Sequence, residues 1–220
     1  MAKNKLLPLK AEPVVRSFGI QDLRAIGDEN VNSIEGHPAV YDQKTDIGGW
    51  FYEIIERGAF DSTNFDDVLF CVNHDLRKLP LARSRRNNGN STMQLKVDDK
   101  GLSIKATLDT ENNSEAKSLY SAVSRGDIDG MSFMFYVEEE RWTNLDTDMP
   151  TRYISKIKTV REVSAVNFPA YAGTDINARD QAVLDNAAKA LENARSELDN
   201  SKSELEVLKL KNKNKEKGLI

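Results

Sequence analysis

The sequence predicts an α+β fold dominated by β-structure, and three observations carry that expectation. From Ser33 onward, eight short segments rich in β-branched and aromatic residues are divided by turn formers, among them WFYEIIE, VLFCVNHD, MSFMFYVEEE and TRYISKIKTV. LKVDDKGLSIKATL alternates on either side of Asp99-Lys100-Gly101, a hairpin in which Gly101 is free to take positive φ. Two stretches then switch to helical period. In the first, Ala116, Leu119, Tyr120 and Val123 share a face, with Ser114 placed to cap the start and Gly126 to end it. In the second, from about Ile176 to Lys217, proline and glycine are absent, and Leu184, Leu191, Leu198 and Leu205 recur every seven residues. The parallel stripe of Ala187, Ala194, Ser201 and Leu208 is weak, so a partner helix and an isolated charged helix both stay open. The lysine-rich ending from Lys209 reads as disordered.

These elements divide the chain into an arm or edge strand over residues 1–30, a β-rich barrel or sandwich over 31–175, and a charged helix with its tail over 176–220. The 220 residues suit one domain plus an appendage. A net charge of −4 disfavours nucleic acid as a partner, because polyphosphate binding needs a basic surface. The single cysteine, Cys71, cannot form an internal disulfide, which fits a reducing compartment. The apolar run LLPL is too short for a signal peptide's core, and no segment approaches the ~20 apolar residues that span a bilayer. The expectation is a soluble intracellular protein with no membrane partner, no cofactor and no metal.

Only two histidines are present. His37 precedes Pro38 near a strand or turn and suits a surface role. His74 ends the apolar run VLFCVNH, where a rigid strand can present a reactive group to a loop. Ser132 opens another apolar strand in GMSFM, a string that is not the G-x-S-x-G nucleophile elbow. Weighed singly, His74 and Ser132 each read more readily as structural than as catalytic. A serine nucleophile needs a base, and the base needs a group that fixes its tautomer. Asp75 adjoins His74 but alternates to the other face, while Asp127 and Asp129 look like turn residues. Glu162 is a carboxylate inside the apolar run TVREVSAVNF, where an unpaired charge is costly. Cys71 reads as a buried, inert thiol.

The ordered pieces IEGHPAVYD, Gly48-Gly49, ERGAF, VLFCVNHD, PLAR, KGLSIKATL, SLYSAVSRGDIDGMSFMF and VREVSAVNFPAYAGTDINAR span Ile34 to Arg179. Together they resemble the prohead serine proteases of tailed bacteriophages. That family is similar in fold to the herpesvirus assemblin proteases, which implies a closed or nearly closed β-barrel with peripheral helices. The resemblance carries the base to His74 in the NHD segment and the nucleophile to Ser132 in the GMSF segment. Assemblins use a second histidine as third member. No histidine follows Ser132 here, and Glu162 is the residue chosen for that place. The NFPAYAG turn, residues 167–173, is the counterpart of the assemblin loop that serves the oxyanion. Leu81-Ala82-Arg83 departs from the family's usual glycine between leucine and arginine, and SRRNNGNS looks enlarged.

The implied activity is a serine endopeptidase that cuts scaffold, major capsid protein and itself inside the procapsid, in the host cytoplasm. A homodimer is plausible by the same resemblance. The competing reading from another class is a non-catalytic capsid-assembly or scaffold-binding protein using the same barrel and helix. A single-stranded nucleic-acid barrel using Arg83, Arg85 and Arg86 is weaker, given the acidic balance and the lack of paired aromatics beside those arginines.

Overall fold

A computed structural model describes residues 13–18, 22–28, 31–86, 89–167 and 178–216. The strands in chain order are β1 (Val14–Phe18), β2 (Arg24–Asp28), β3 (Val31–Val40), β4 (Thr45–Ile47), β5 (Phe51–Ile55), β6 (Asp67–Val72), β7 (Ala82–Arg85), β8 (Met93–Val97) and β9 (Gly101–Leu108). Helix α1 (Ser114–Arg125) precedes the two long strands β10 (Gly130–Thr143) and β11 (Thr151–Val166), and α2 (Ala178–Glu216) follows. The fold is mixed α+β and β-rich.

The strands form two sheets. The seven-stranded sheet runs β1-β10-β11-β5-β4, with β6 paired to β11 and β7 to β6; the four-stranded sheet runs β2-β3-β9-β8. Strand β11 is long enough to serve two parallel neighbours, β5 through residues 151–154 and β6 through residues 162–165. One apolar core lies between the sheets. Phe70 of β6, Phe133 and Phe135 of β10, and Val163 and Ala165 of β11 meet Ile34, Leu102 and Ile104 from the smaller sheet. The Phe133 and Phe135 rings stack with centroids 4.3 Å apart. With these residues turned to the core, strand alternation sends Ser132, Glu162 and Ser164 to the opposite face of the large sheet.

The closed barrel does not form among the described residues, because the pairing does not return on itself. Where β7 meets the start of β8, side chains replace the ladder. The Arg83 N–H donates to Thr92 Oγ1 and the Arg85 N–H to Ser91 Oγ, both at 2.9 Å. The chain then leaves the sheet through Arg86, whose φ is 54°. The hairpin expectation holds, with Gly101 at φ 154° and a Cβ there overlapping the Ala39 carbonyl oxygen. Helix α1 also forms, yet its cap is Asn113 rather than Ser114. The Asn113 side chain accepts from the Glu115 and Ala116 N–H groups at 3.0 and 3.2 Å. Gly126 ends the helix in the left-handed region, as its position suggests.

Helix α2 continues to Glu216, through residues expected to be disordered. Nothing in that stretch breaks a helix, and lysines near the carboxyl end suit the helix dipole. The leucine stripe is not used as one seam. Leu191, with Ala187, packs against Ile47, Phe51, Trp142 and Leu145, while Leu205 and Leu208 are exposed.

Part of the segment read as an arm or edge strand lies in the sheets. Strand β1 is an edge of the large sheet, and its Arg16 side chain enters a buried ion network. Glu53 accepts from Arg16 Nε at 2.6 Å and Nη2 at 3.0 Å, and from Arg152 Nη1 at 3.0 Å; Arg152 also pairs with Glu140. Burial pushes the Glu53 carboxyl upward, but the charges of Arg16 and Arg152 outweigh it and hold the group below its usual value. Its contribution is therefore complete above the unfolded glutamate value of about 4.3 and is lost as pH falls through the folded value. Glu53→Ala leaves two buried guanidinium groups without this counter-charge. Urea unfolding at neutral pH is expected to show a loss of about 3–5 kcal/mol.

Candidate active site

The site lies on the face of the large sheet away from the core, where β1, β10, β11 and the end of β6 lie side by side. Cross-strand register sets Ser17 opposite Ser132, and Ser132 opposite Ser164. Ser164 in turn lies opposite Cys71. Ser132 and Ser164 are fully buried, and Glu162 is 1% exposed.

His74 reaches this face from a tight turn just beyond β6. Asn73 and His74 both adopt left-handed backbone, with φ of 49° and 56°. Such conformations are costly for non-glycine residues and persist only where surrounding structure holds them. Here the Asn73 N–H donates to the Ala165 carbonyl at 2.9 Å, and Asn73 Oδ1 accepts from the Asn167 N–H at 3.0 Å. The His74 N–H donates to Ser164 Oγ at 3.0 Å. The turn is thereby bound to β11 rather than left to the loop.

The three residues singled out from sequence meet in one chain of contacts. His74 Nε2 lies 2.6 Å from Ser132 Oγ, and His74 Nδ1 lies 2.5 Å from Glu162 Oε2. Hydrogen-bond logic assigns the protons. An ionised carboxylate only accepts, so Nδ1 carries the hydrogen facing Glu162. The neutral ring then offers the Nε2 lone pair to the Ser132 hydroxyl. That hydroxyl has a second acceptor, the Arg16 carbonyl oxygen at 2.9 Å. When Nε2 gains a proton it can donate to Ser132 Oγ, and the hydroxyl hydrogen can turn to Arg16. Both protonation states of the ring thus leave the oxygen with a partner.

Other groups have different fates. Cys71 shares a neighbourhood with Glu162. Burial, reinforced by the charges of Glu162 and Asp75, pushes its thiol up to about 12. It is protonated near neutrality and a poor nucleophile. Asp75 pairs with Arg77 at 3.1 Å and Asp127 with Arg125 at 2.6 Å. His37 lies on β3 in the smaller sheet, with Nδ1 2.7 Å from Asp22 and Nε2 3.1 Å from Asp98. Arg83 is held by both oxygens of Asp67, at 2.7 and 2.6 Å.

Sequence reasoning did not pick out Ser164 or the Arg16 carbonyl. Ser164 had a signal, since it stands two residues beyond Glu162 in an apolar strand and so shares its face. A backbone acceptor contributed by a distant strand leaves no side-chain pattern to read. Apart from Asn167, the turn expected to serve the oxyanion lies outside the described residues. Among those described, no group of three histidine, cysteine or acidic side chains is arranged to hold a metal ion. No described helix is long and apolar enough to cross a membrane. A crevice between α1 and the chain after β6 is lined by Asn73, Lys78, Leu79, Ser118 and Leu119, and by none of the three residues in that contact chain.

The chain is 30% identical over 157 residues to the prohead protease of Enterobacteria phage HK97, a match that covers 70% of this chain and 63% of that protein. It is also similar in structure to the capsid assembly protease of bacteriophage T4. That likeness has a TM-score of 0.44 at 11% identity, and covers 72% of this chain and 99% of the other. The sequence profile of the caudovirus prohead serine proteases matches residues 21–189. The chain therefore belongs to the caudovirus prohead serine protease family.

Proposed function

We propose that this chain is a serine endopeptidase in which Ser132 is the nucleophile, His74 the general base and Glu162 the group that orients the base. The observation that carries the reading is the continuous contact from Ser132 Oγ through both ring nitrogens of His74 to a buried carboxylate. His74 Nε2 takes the hydroxyl proton as Oγ attacks the scissile carbonyl, and then gives it to the leaving amine. Glu162 keeps the ring in the accepting tautomer and stabilises the imidazolium formed in between. Water repeats the sequence to release the acyl group.

The substrates are the scaffold and the amino-terminal part of the major capsid protein, cut inside the assembling procapsid. Membership of the prohead protease family supports that assignment. The enzyme is itself a further substrate, cut in its lysine-rich carboxyl-terminal stretch, where residues 205–213 are exposed.

The test is co-expression with the cognate capsid and scaffold proteins, followed by mass spectrometry of the products. Wild type is expected to yield discrete truncated forms that are absent with Ser132→Ala. Identical fragment patterns would end the protease reading and leave a non-catalytic assembly factor.

A further inference from the structure

We infer that Ser164 is a positioning residue of this site, a fourth member that holds both the carboxylate and the backbone of the base. The inference rests on the proposed roles of Ser132, His74 and Glu162. It starts from a closed ring of hydrogen bonds. The His74 N–H donates to Ser164 Oγ at 3.0 Å, and the Ser164 hydroxyl donates to Glu162 Oε1. Glu162 Oε2 accepts from His74 Nδ1 at 2.5 Å, which returns the ring to its starting residue.

The direction of each bond follows from the groups themselves. A hydroxyl has one hydrogen to give and lone pairs to receive. The His74 backbone N–H can only donate, and the carboxylate can only accept, so Ser164 has one consistent orientation. It is not an alternative nucleophile, because its hydrogen goes to the carboxylate and Nε2 is directed to Ser132.

Two consequences distinguish this hydroxyl from ordinary packing. The terminal torsion of a glutamate is broad and roughly two-fold, so a carboxylate held at one oxygen can swing. Ser164 takes the second oxygen and fixes the plane that His74 Nδ1 meets. The same hydroxyl satisfies the N–H of a residue in left-handed backbone, and so pins the turn from which the ring projects. Ring plane and ring origin together determine where Nε2 points. The register of β10 with β11, which sets Ser132 opposite Ser164, places the nucleophile and this tether in one row.

The experiment uses the full chain and a fluorophosphonate probe, which reports the reactivity of the activated serine without knowledge of peptide specificity. Labelling rates are compared for wild type, Ser164→Ala, Ser164→Cys and Ser164→Thr, with thermal unfolding followed in parallel. Cysteine keeps the volume without a strong donor, and threonine keeps the hydroxyl. The expected result is a loss of about 10- to 100-fold per folded molecule in the alanine and cysteine variants, the scale of a misplaced catalytic group. Threonine is expected to restore most of the rate. Wild-type labelling in folded Ser164→Ala and Ser164→Cys overturns the inference, and so does an equal loss in folded Ser164→Ala and Ser164→Thr. Labelling of Ser132→Ala at the wild-type rate would instead remove the proposed nucleophile, whatever the Ser164 variants do.

Discussion

Ser132→Ala and His74→Ala are each expected to lower kcat by about 10⁶-fold, and the double variant no further than either single one. The reason is the shared proton. Without Nε2, Ser132 Oγ has only the Arg16 carbonyl as acceptor, and a backbone carbonyl cannot carry the proton away as the bond to substrate forms. Without Oγ, the base has nothing to activate within the same geometry. Residues that act as a unit are grossly non-additive, so the second substitution finds nothing left to remove. Single-turnover cleavage of a mapped processing site, measured for all three variants, checks this. Losses that multiply would show that the two residues act independently.

Glu162→Gln is expected to slow cleavage by about 10⁴-fold while the protein stays folded, a magnitude set by the corresponding change in the serine-histidine-aspartate triad. The side chain keeps its shape in a site that is 1% exposed, so the loss comes from proton placement. Ser164 donates to one end of this group, which favours the amide oxygen there and turns the NH₂ toward His74 Nδ1. Two donors cannot face each other, so Nδ1 must lose its hydrogen and Nε2 must carry one. The ring then presents a hydrogen to Ser132 where a lone pair is required. Steady-state kinetics beside thermal unfolding separates this from misfolding. Near-normal kcat would show that this carboxylate does not orient the base.

What could be read from the sequence was local. The Asp98–Gly101 turn, the α1 face and the strand segments follow from turn chemistry and side-chain period, which need only neighbouring residues. Register between distant segments does not. Nothing in VVRSF announces that it lies beside GMSFM, or that its Arg16 shares Glu53 with Arg152. The open edge between β7 and β8 depends on hydroxyl groups at Ser91 and Thr92, which look like ordinary loop residues. The leucine repeat in α2 was visible, but which leucines are covered depends on where Phe51 and Trp142 lie. At the site, His74 and Ser132 stood out through the ordered family segments rather than through their own surroundings. Glu162 was visible as an anomalous charge. Ser164 shares the face of Glu162 in the sequence, but its bonds to Glu162 and to the His74 N–H need the fold to be seen.

The Arg16 carbonyl joins Ser132 across 116 residues, while His74 is joined to Ser132 across 58 and to Glu162 across 88. Contacts of such sequence separation form late, after the entropy of closing long loops has been met. A chain still emerging from the ribosome holds its first strand and its histidine long before β11 exists. The contacts among Ser132, His74 and Glu162 are therefore missing until nearly the whole sheet has closed; on the roles proposed above, synthesis itself is the first safeguard against premature proteolysis.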